Sequence, residues 1–287
     1  MKLIKQSFEI LEQKDFSLVG IKKFIERCGR VCYKSENRIT DTSYEKFVNM
    51  LESRGHDRPL EFGTAHLQMY ISDFHKLRDT LCINNMWNDQ WIKYHYAGNL
   101  AYVTTNYRYY LVIIKVFPSA ENDFDPQDDE LYPKRYTVHF ITSRGIMDEF
   151  RTHVGLSHLA ESTRYCAYNK DKFNNEITFI IPNWVSTHCP NKEQEGPSVP
   201  DMKWSSAMLN AEASYMNLLK MGWTPQQARE VLPLAVKSEL ISCGFEDAWT
   251  NFFMRRCAKD AHPMAREIAT KVRDEFNELR NETKESK

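Results

Sequence analysis

The chain has 287 residues, 42% of them hydrophobic and 27% charged, with a formal net charge of −1. That length and balance fit a globular protein with a sizeable core; the near-zero charge excludes a global basic field for nucleic acid, and no apolar run approaches the ~20 residues of a membrane span. The seven cysteines are scattered, with no CxxC or HxxxH pair to suggest a zinc site, and read as reduced thiols. The charged opening MKLIKQSFEILEQ lacks a signal-peptide core. A cytoplasmic protein without metal, nucleic-acid or membrane partners is expected.

In chain order, GIKKFIERCGRVCYKS predicts a helix ending near Gly29. DTSYEKFVNMLESRG predicts a second, with Asp41 or Thr42 as N-cap and Gly55 as stop. Residues 63–72, GTAHLQMYIS, alternate as a strand does. TLCINNMWNDQWIKYHY is aromatic-rich and ambiguous, and YRYYLVIIKV, 107–116, reads as a strand with a buried helical turn as the alternative. Residues 117–134 are acidic and carry three prolines, an exposed loop insertion. RYTVHFIT, 135–142, is a strand, followed by a helix from near Arg144 with Met147, Phe150 and Val154 as its apolar face. Ser157 to Tyr165 has no clean period and reads as a loop or frayed end. EITFIIP is a strand closed by Pro182, and MKWSSAMLNAEASYMNLLKMG a helix capped by Gly222. TPQQAREVLP opens with Thr224 as N-cap and Pro225 in the first turn. LAVKSELISCG is strand-like, and residues 246–279 hold two helices broken around Ala261–Pro263. Strands and helices mixed in this way define an α+β chain, taken as a single domain over 1–287.

Four segments concentrate chemistry. In DEFRTHVGLSHLAESTRYCAYNKDKF, Ser162 and Arg164 are two apart and would share a side in extended backbone. A hydroxyl beside a guanidinium fork suits a phosphate; the alternative is a surface ion pair of Glu161 with Arg164. In GHDRPLEFGTAHL, His56, Arg58 and Glu61 sit on a turn around Pro59, which as a plain polar turn needs no function. Arg229 lies in a short helix that Pro233 ends, where a helix-face ion pair is the simpler reading. In NFFMRRCAKDAHP, Arg255 and Arg256 point about 100° apart on a helix, so at most one faces inward among Trp249, Phe252 and Phe253. Ser162 lacks the glycines of a nucleophile elbow, nothing local supports a Cys166–His153 thiolate pair, and no G-x-G-x-x-G or P-loop occurs.

Taken together, GRVCYKSENRI, GHDRPLEFGTAHL, YVTTNYR, ESTRYCAYNKDKF, ITFIIP, AREVLPL and FFMRRCAKDAHPMAREIA resemble the flavin-dependent thymidylate synthase family in one order along most of the chain. The resemblance implies a central, mostly antiparallel sheet flanked by helices, in a homotetramer with shared active sites. It also implies reductive methylation of dUMP, with methylenetetrahydrofolate as carbon source and FAD, reduced by NADPH, as hydride source. By position in the motifs, Arg256 would be the catalytic residue on the uracil edge. Glu149, Arg151, Glu161, Ser162, Arg164 and Arg229 would hold the nucleotide, Arg229 from another subunit. His56, Arg58, Thr152, His153 and Asn251 would lie along the flavin. Read without a gap, the family's Arg-His-Arg signature falls on Thr152-His153-Val154, which replaces both arginines; a shifted reading onto Arg151-Thr152-His153 keeps one arginine and loses the central histidine. A diverged enzyme acting on another pyrimidine nucleotide, or a non-catalytic nucleotide- or flavin-binding homologue, is the alternative.

Overall fold

The computed structural model describes residues 1–161, 168, 175–186 and 197–285. The strands are β1 Lys2–Ile4, β2 Ser7–Leu11, β3 Thr64–Tyr70, β4 Ile92–Ala97, β5 Leu100–Asn106, β6 Phe124–Asp125, β7 Arg135–Ser143, β8 Ser157–Ala160, β9 Thr178–Ile180 and β10 Lys237–Phe245. The helices are α1 Leu18–Tyr33, α2 Ser43–Ser53, α3 Ile71–Ile83, α4 Tyr107–Val116, α5 Arg144–Arg151, α6 Val199–Lys220, α7 Pro225–Ala228, α8 Glu246–Arg256 and α9 Pro263–Glu285. The class is α+β, as expected. The antiparallel strands form two four-stranded sheets, β2-β7-β10-β8 and β4-β5-β3-β6, while β1 and β9 pair in parallel.

Each sheet has its own core. Ile25, Leu51, Phe74 and Ile113 pack with Leu67 and Val103 of the β3–β5 pair. Phe140, Phe150, Trp249, Phe252 and Ile268 pack on the β7–β10 pair. A third cluster, including Phe24, Phe62, Leu159 and Ile241, brings α1 and the 58–62 turn onto the β8–β10 pair.

Several elements differ from their sequence reading, each for a physical reason. Gly29 does not end α1, which runs on to Tyr33 and stops at Lys34 in the left-handed conformation (φ 49°). Gly29 instead makes room for Phe47: an added Cβ there would lie 2.8 Å from its ring. Residues 107–116 are helical, not a strand. Asn106 caps the helix by accepting the Tyr109 N–H (2.9 Å), and Tyr107, Tyr110 and Ile113 bury at helical spacing, so tertiary packing overrides the β-propensity of the run. The acidic 117–134 segment is only partly a loop. It contains a 3₁₀ turn and β6, and Tyr132 is buried, stacked on His66 (4.0 Å) and bonded to Asp125 (2.5 Å). Val154 lies beyond the end of α5 and is 74% exposed, so it is not part of the apolar face. Residues 157–160 are the strand β8, whose two-residue period is hidden because Ser157 and His158 are polar and find their partners on neighbouring elements.

Candidate functional site

Helix α5 follows directly from β7 and α8 from β10, and these strands are paired from Lys237↔Ser143 to Phe245↔Arg135. The C-terminal ends of the two helices are tied together by one side chain. Arg256 Nη2 donates to the Glu149 carbonyl (2.7 Å) and Nη1 to Glu149 Oε2 (3.4 Å), with the guanidinium 6.0 Å from the Phe150 ring. Phe150 and Phe252 meet edge to face at 4.9 Å beneath it. Arg255 turns outward and donates to Asn251 Oδ1 (3.3 Å), so only Arg256 of the pair faces in.

His153 follows α5, buried with its ring against Phe252 at 5.3 Å. Burial, and after it the charge of Arg256, lowers its proton affinity. His153 Nε2 and Arg256 Nε are both buried and find no hydrogen-bond partner among the described residues. Such atoms are costly in a native fold and mark places where something else completes the bonding. Thr152 donates its hydroxyl to the Glu149 carbonyl (2.8 Å) and Arg151 pairs with Asp148 (2.9 Å), both at the exposed rim. His158, one strand on, is held neutral. Its Nε2 donates to the His153 carbonyl (3.1 Å), which leaves Nδ1 to accept from the Ser242 hydroxyl (2.9 Å). Burial brings it down to about 4, against the raising effect of the His153 carbonyl.

Glu149 also lines a cavity of about 270 Å³, with Ser143, Ile146, Pro182, Leu234, Trp184 and His262 among its other walls. The segment after α7 reaches the start of α5: Leu234 and Val236 carbonyls accept from Gly145 N–H (3.2 Å) and Arg144 N–H (2.9 Å). Arg229, upstream on that segment, forms an ion pair with Glu230 (3.4 Å).

A second group lies across the β8–β10 pair. Lys237 bridges the buried carboxylates Glu161 (3.0 Å) and Glu239, and Glu239 also takes Lys34 (2.5 Å) and His139 Nε2 (2.9 Å). Burial pushes the Glu239 carboxyl up, but His139, Lys237 and Lys34 outweigh it and hold it well below the usual carboxylate range. Burial pulls Lys237 down, and Glu161 and Glu239 outweigh that to raise it. Glu161 thus stands immediately before Ser162 with its carboxylate fixed from behind; Ser162, Arg164, Tyr165 and Cys166 lie outside the described residues.

The third group centres on buried Glu61, which accepts from Ser157 Oγ (2.5 Å) and Arg108 (2.7 Å) and lies 3.7 Å from Arg58. Arg58 and His56 are exposed beside it. The structure therefore brings Glu149, His153 and Arg256 together, with Thr152 and Arg151 on their rim. Glu161 belongs to the Lys237 group, and Arg58 to the Glu61 group. Sequence reasoning missed Lys34, His139, Lys237, Glu239, Trp184 and His262. Lys237 and Glu239 were findable, since charges two apart in a strand share a face; Lys34, Trp184 and His262 meet their partners only in the tertiary fold.

Glu149, held by Arg256, lines this mostly apolar cavity, and among the described residues two buried nitrogens, His153 Nε2 and Arg256 Nε, lack hydrogen-bond partners. The chain belongs to the family described as thymidylate synthase complementing protein, whose model matches residues 134–280. A flavin-dependent thymidylate synthase of Pyrococcus abyssi (strain GE5 / Orsay) is 31% identical over 120 residues, 42% of this chain; the match spans less than half, 45%, of that protein's length. Among solved structures, the UMP/dUMP methylase PolB of Streptomyces cacaoi, bound with 5-Br UMP or with 5-Br dUMP, covers 97% of this chain at 13% and 15% identity. The alignments cover 92% and 93% of those chains, and the TM-scores of 0.45 and 0.43 mark a distant likeness. Among the described residues no helix is long and apolar enough to cross a membrane, and no three His, Cys, Asp or Glu side chains gather as a metal site would need.

Proposed function

We propose that the chain is a flavin-dependent methylase of a pyrimidine nucleotide. The reaction would be reductive methylation of dUMP at carbon 5, with methylenetetrahydrofolate and NADPH as co-substrates. The observation that carries this reading is the α5/α8 corner inside the family-matched region, where Arg256 holds Glu149 on the wall of a cavity and, among the described residues, two buried nitrogens lack partners.

The residues present fit a flavin. His153 offers a ring nitrogen that has no partner among the described residues, in an apolar setting, and Arg58, exposed and 3.7 Å from Glu61, offers a cation on the 58–62 turn. His56, Thr152 and Asn251 are assigned to the same cofactor. A reduced flavin, when bound, would supply hydride chemistry there. The protein's own part is positional and electrostatic. Arg256 would face the pyrimidine edge and stabilise negative charge developing on the ring. Glu149 would orient Arg256 and accept an N–H of the base, with Arg151 at the rim. Glu161, Ser162, Arg164 and Arg229 are assigned to the nucleotide's phosphate end. Several charge-assisted bonds of roughly 1.5–3 kcal/mol each would hold a dianionic nucleotide without a basic surface.

The working form is proposed to be a cytoplasmic homotetramer of single-domain chains with shared sites. The exposed Val199, Met202 and Leu209 along α6 support burial against another copy. A second reading, a family member acting on another pyrimidine nucleotide, is favoured by exposed Thr152 and Val154 standing where the signature has arginines. Tritium release from carbon-5-labelled dUMP, UMP and dCMP, with NADPH and methylenetetrahydrofolate, tests both. Release from dUMP supports the first reading, release from UMP or dCMP alone the second, and release from none contradicts the proposal.

A further inference from the structure

We infer, resting on the functional reading above, that Trp184 backed by His262 is the wall against which the substrate's pyrimidine ring stacks. The two rings come from distant segments: Trp184 from the turn after β9, and His262 from the residue before α9. Their centroids are 5.8 Å apart at a 56° tilt. Both line the cavity that Glu149 lines, so the aromatic wall and the Glu149 carboxylate, itself held by Arg256, bound one space.

Three features fit a flat ring there. Trp184 is 58% exposed, a large apolar face left in water that a stacked ligand would cover. His262 is oriented from behind, its Nδ1 accepting the Met264 N–H (3.2 Å). Ile146, Pro182 and Leu234 make the rest of the enclosure apolar, so the ring is recognised there by face and shape, and by Glu149 at its polar edge. At about 270 Å³ the cavity is below the roughly 300–1,000 Å³ common for ligand pockets, which suits a mononucleotide rather than a flavin dinucleotide.

The test is calorimetric titration of dUMP, UMP and FAD into the full-length protein and its Trp184→Ala and Trp184→Phe variants. Trp184→Ala is expected to weaken nucleotide binding about 5- to 100-fold, the range of base–aromatic stacking. Trp184→Phe keeps a stacking face and is expected to cost less than about threefold. The exposed position predicts a melting temperature within ~2 °C of the parent for both. Nucleotide-induced quenching of tryptophan fluorescence should diminish in Trp184→Phe, which also provides a readout if the alanine variant fails to fold. Equal nucleotide affinity in parent and Trp184→Ala, quenching unchanged in Trp184→Phe, or a loss confined to FAD would each overturn the assignment while the functional reading stands. A parent protein that binds neither nucleotide overturns both.

Discussion

Two polar groups flank the same pair of strands, β7 and β10, and they are finished differently. Across the β8–β10 pair, Lys237, Glu161, Glu239, Lys34 and His139 satisfy one another. At the ends of α5 and α8, Arg256 spends two of its nitrogens on Glu149, and among the described residues neither its Nε nor His153 Nε2 finds a partner. A closed network of buried charges fixes backbone; an open one is tolerated where a ligand completes it.

The largest effect expected is on the closed side. Lys237→Ala leaves two buried carboxylates facing each other and should cost about 3–5 kcal/mol in a urea titration. A loss under ~1 kcal/mol would mean that the network is loosely held. On the open side, Arg256→Ala should lower carbon-5 exchange on the nucleotide about 10²–10³-fold, while stability changes far less than in Lys237→Ala. An unchanged exchange rate would remove Arg256 from the reaction.

Acidity sharpens the contrast further. His158 is depressed to about 4, so the unfolded chain, with histidine near ~6.5, binds the extra proton first. Stability should therefore be full above ~6.5 and fall by about 2–3 kcal/mol as the pH drops to ~4. Glu239 is depressed as well; its contribution is present above the ordinary carboxylate range and is lost as the pH falls through its folded value. His158→Gln should shrink the limb between ~6.5 and ~4, leaving the part that the buried His153 and His66 contribute, and leave the more acidic limb. The smallest effect concerns the missing signature. Thr152 and Val154 are exposed, so Thr152→Arg with Val154→Arg should change stability within ~0.5 kcal/mol and tighten flavin binding roughly tenfold. Unchanged flavin affinity would place the flavin elsewhere.

Much of this was legible beforehand. The β7 strand, the α8/α9 break before Pro263 and the Thr224–Pro225 helix start follow from period, proline and capping chemistry. The inward choice of Arg256 over Arg255 was narrowed to one of two by helix geometry alone. The helix at 107–116 was not legible as such because its aromatic and β-branched residues suit either backbone, and only burial against the β3–β5 sheet decides. β8 was hidden because polar residues on a strand look like loop until Glu61 and Ser242 arrive from elsewhere. Beyond the Lys237–Glu239 pair, the closed network and the aromatic wall join residues far apart in the chain, Glu239 with His139 and Lys34 and Trp184 with His262, and no local pattern announces such pairs.

If the open corner seats the ligand, as proposed, histidine ring resonances followed during titration with dUMP and then FAD will report it. His153→Gln and His139→Gln would assign the two signals. The His153 ring is expected to shift on ligand addition while the His139 ring, locked on Glu239, stays in place. A His139 shift with His153 unmoved would contradict it.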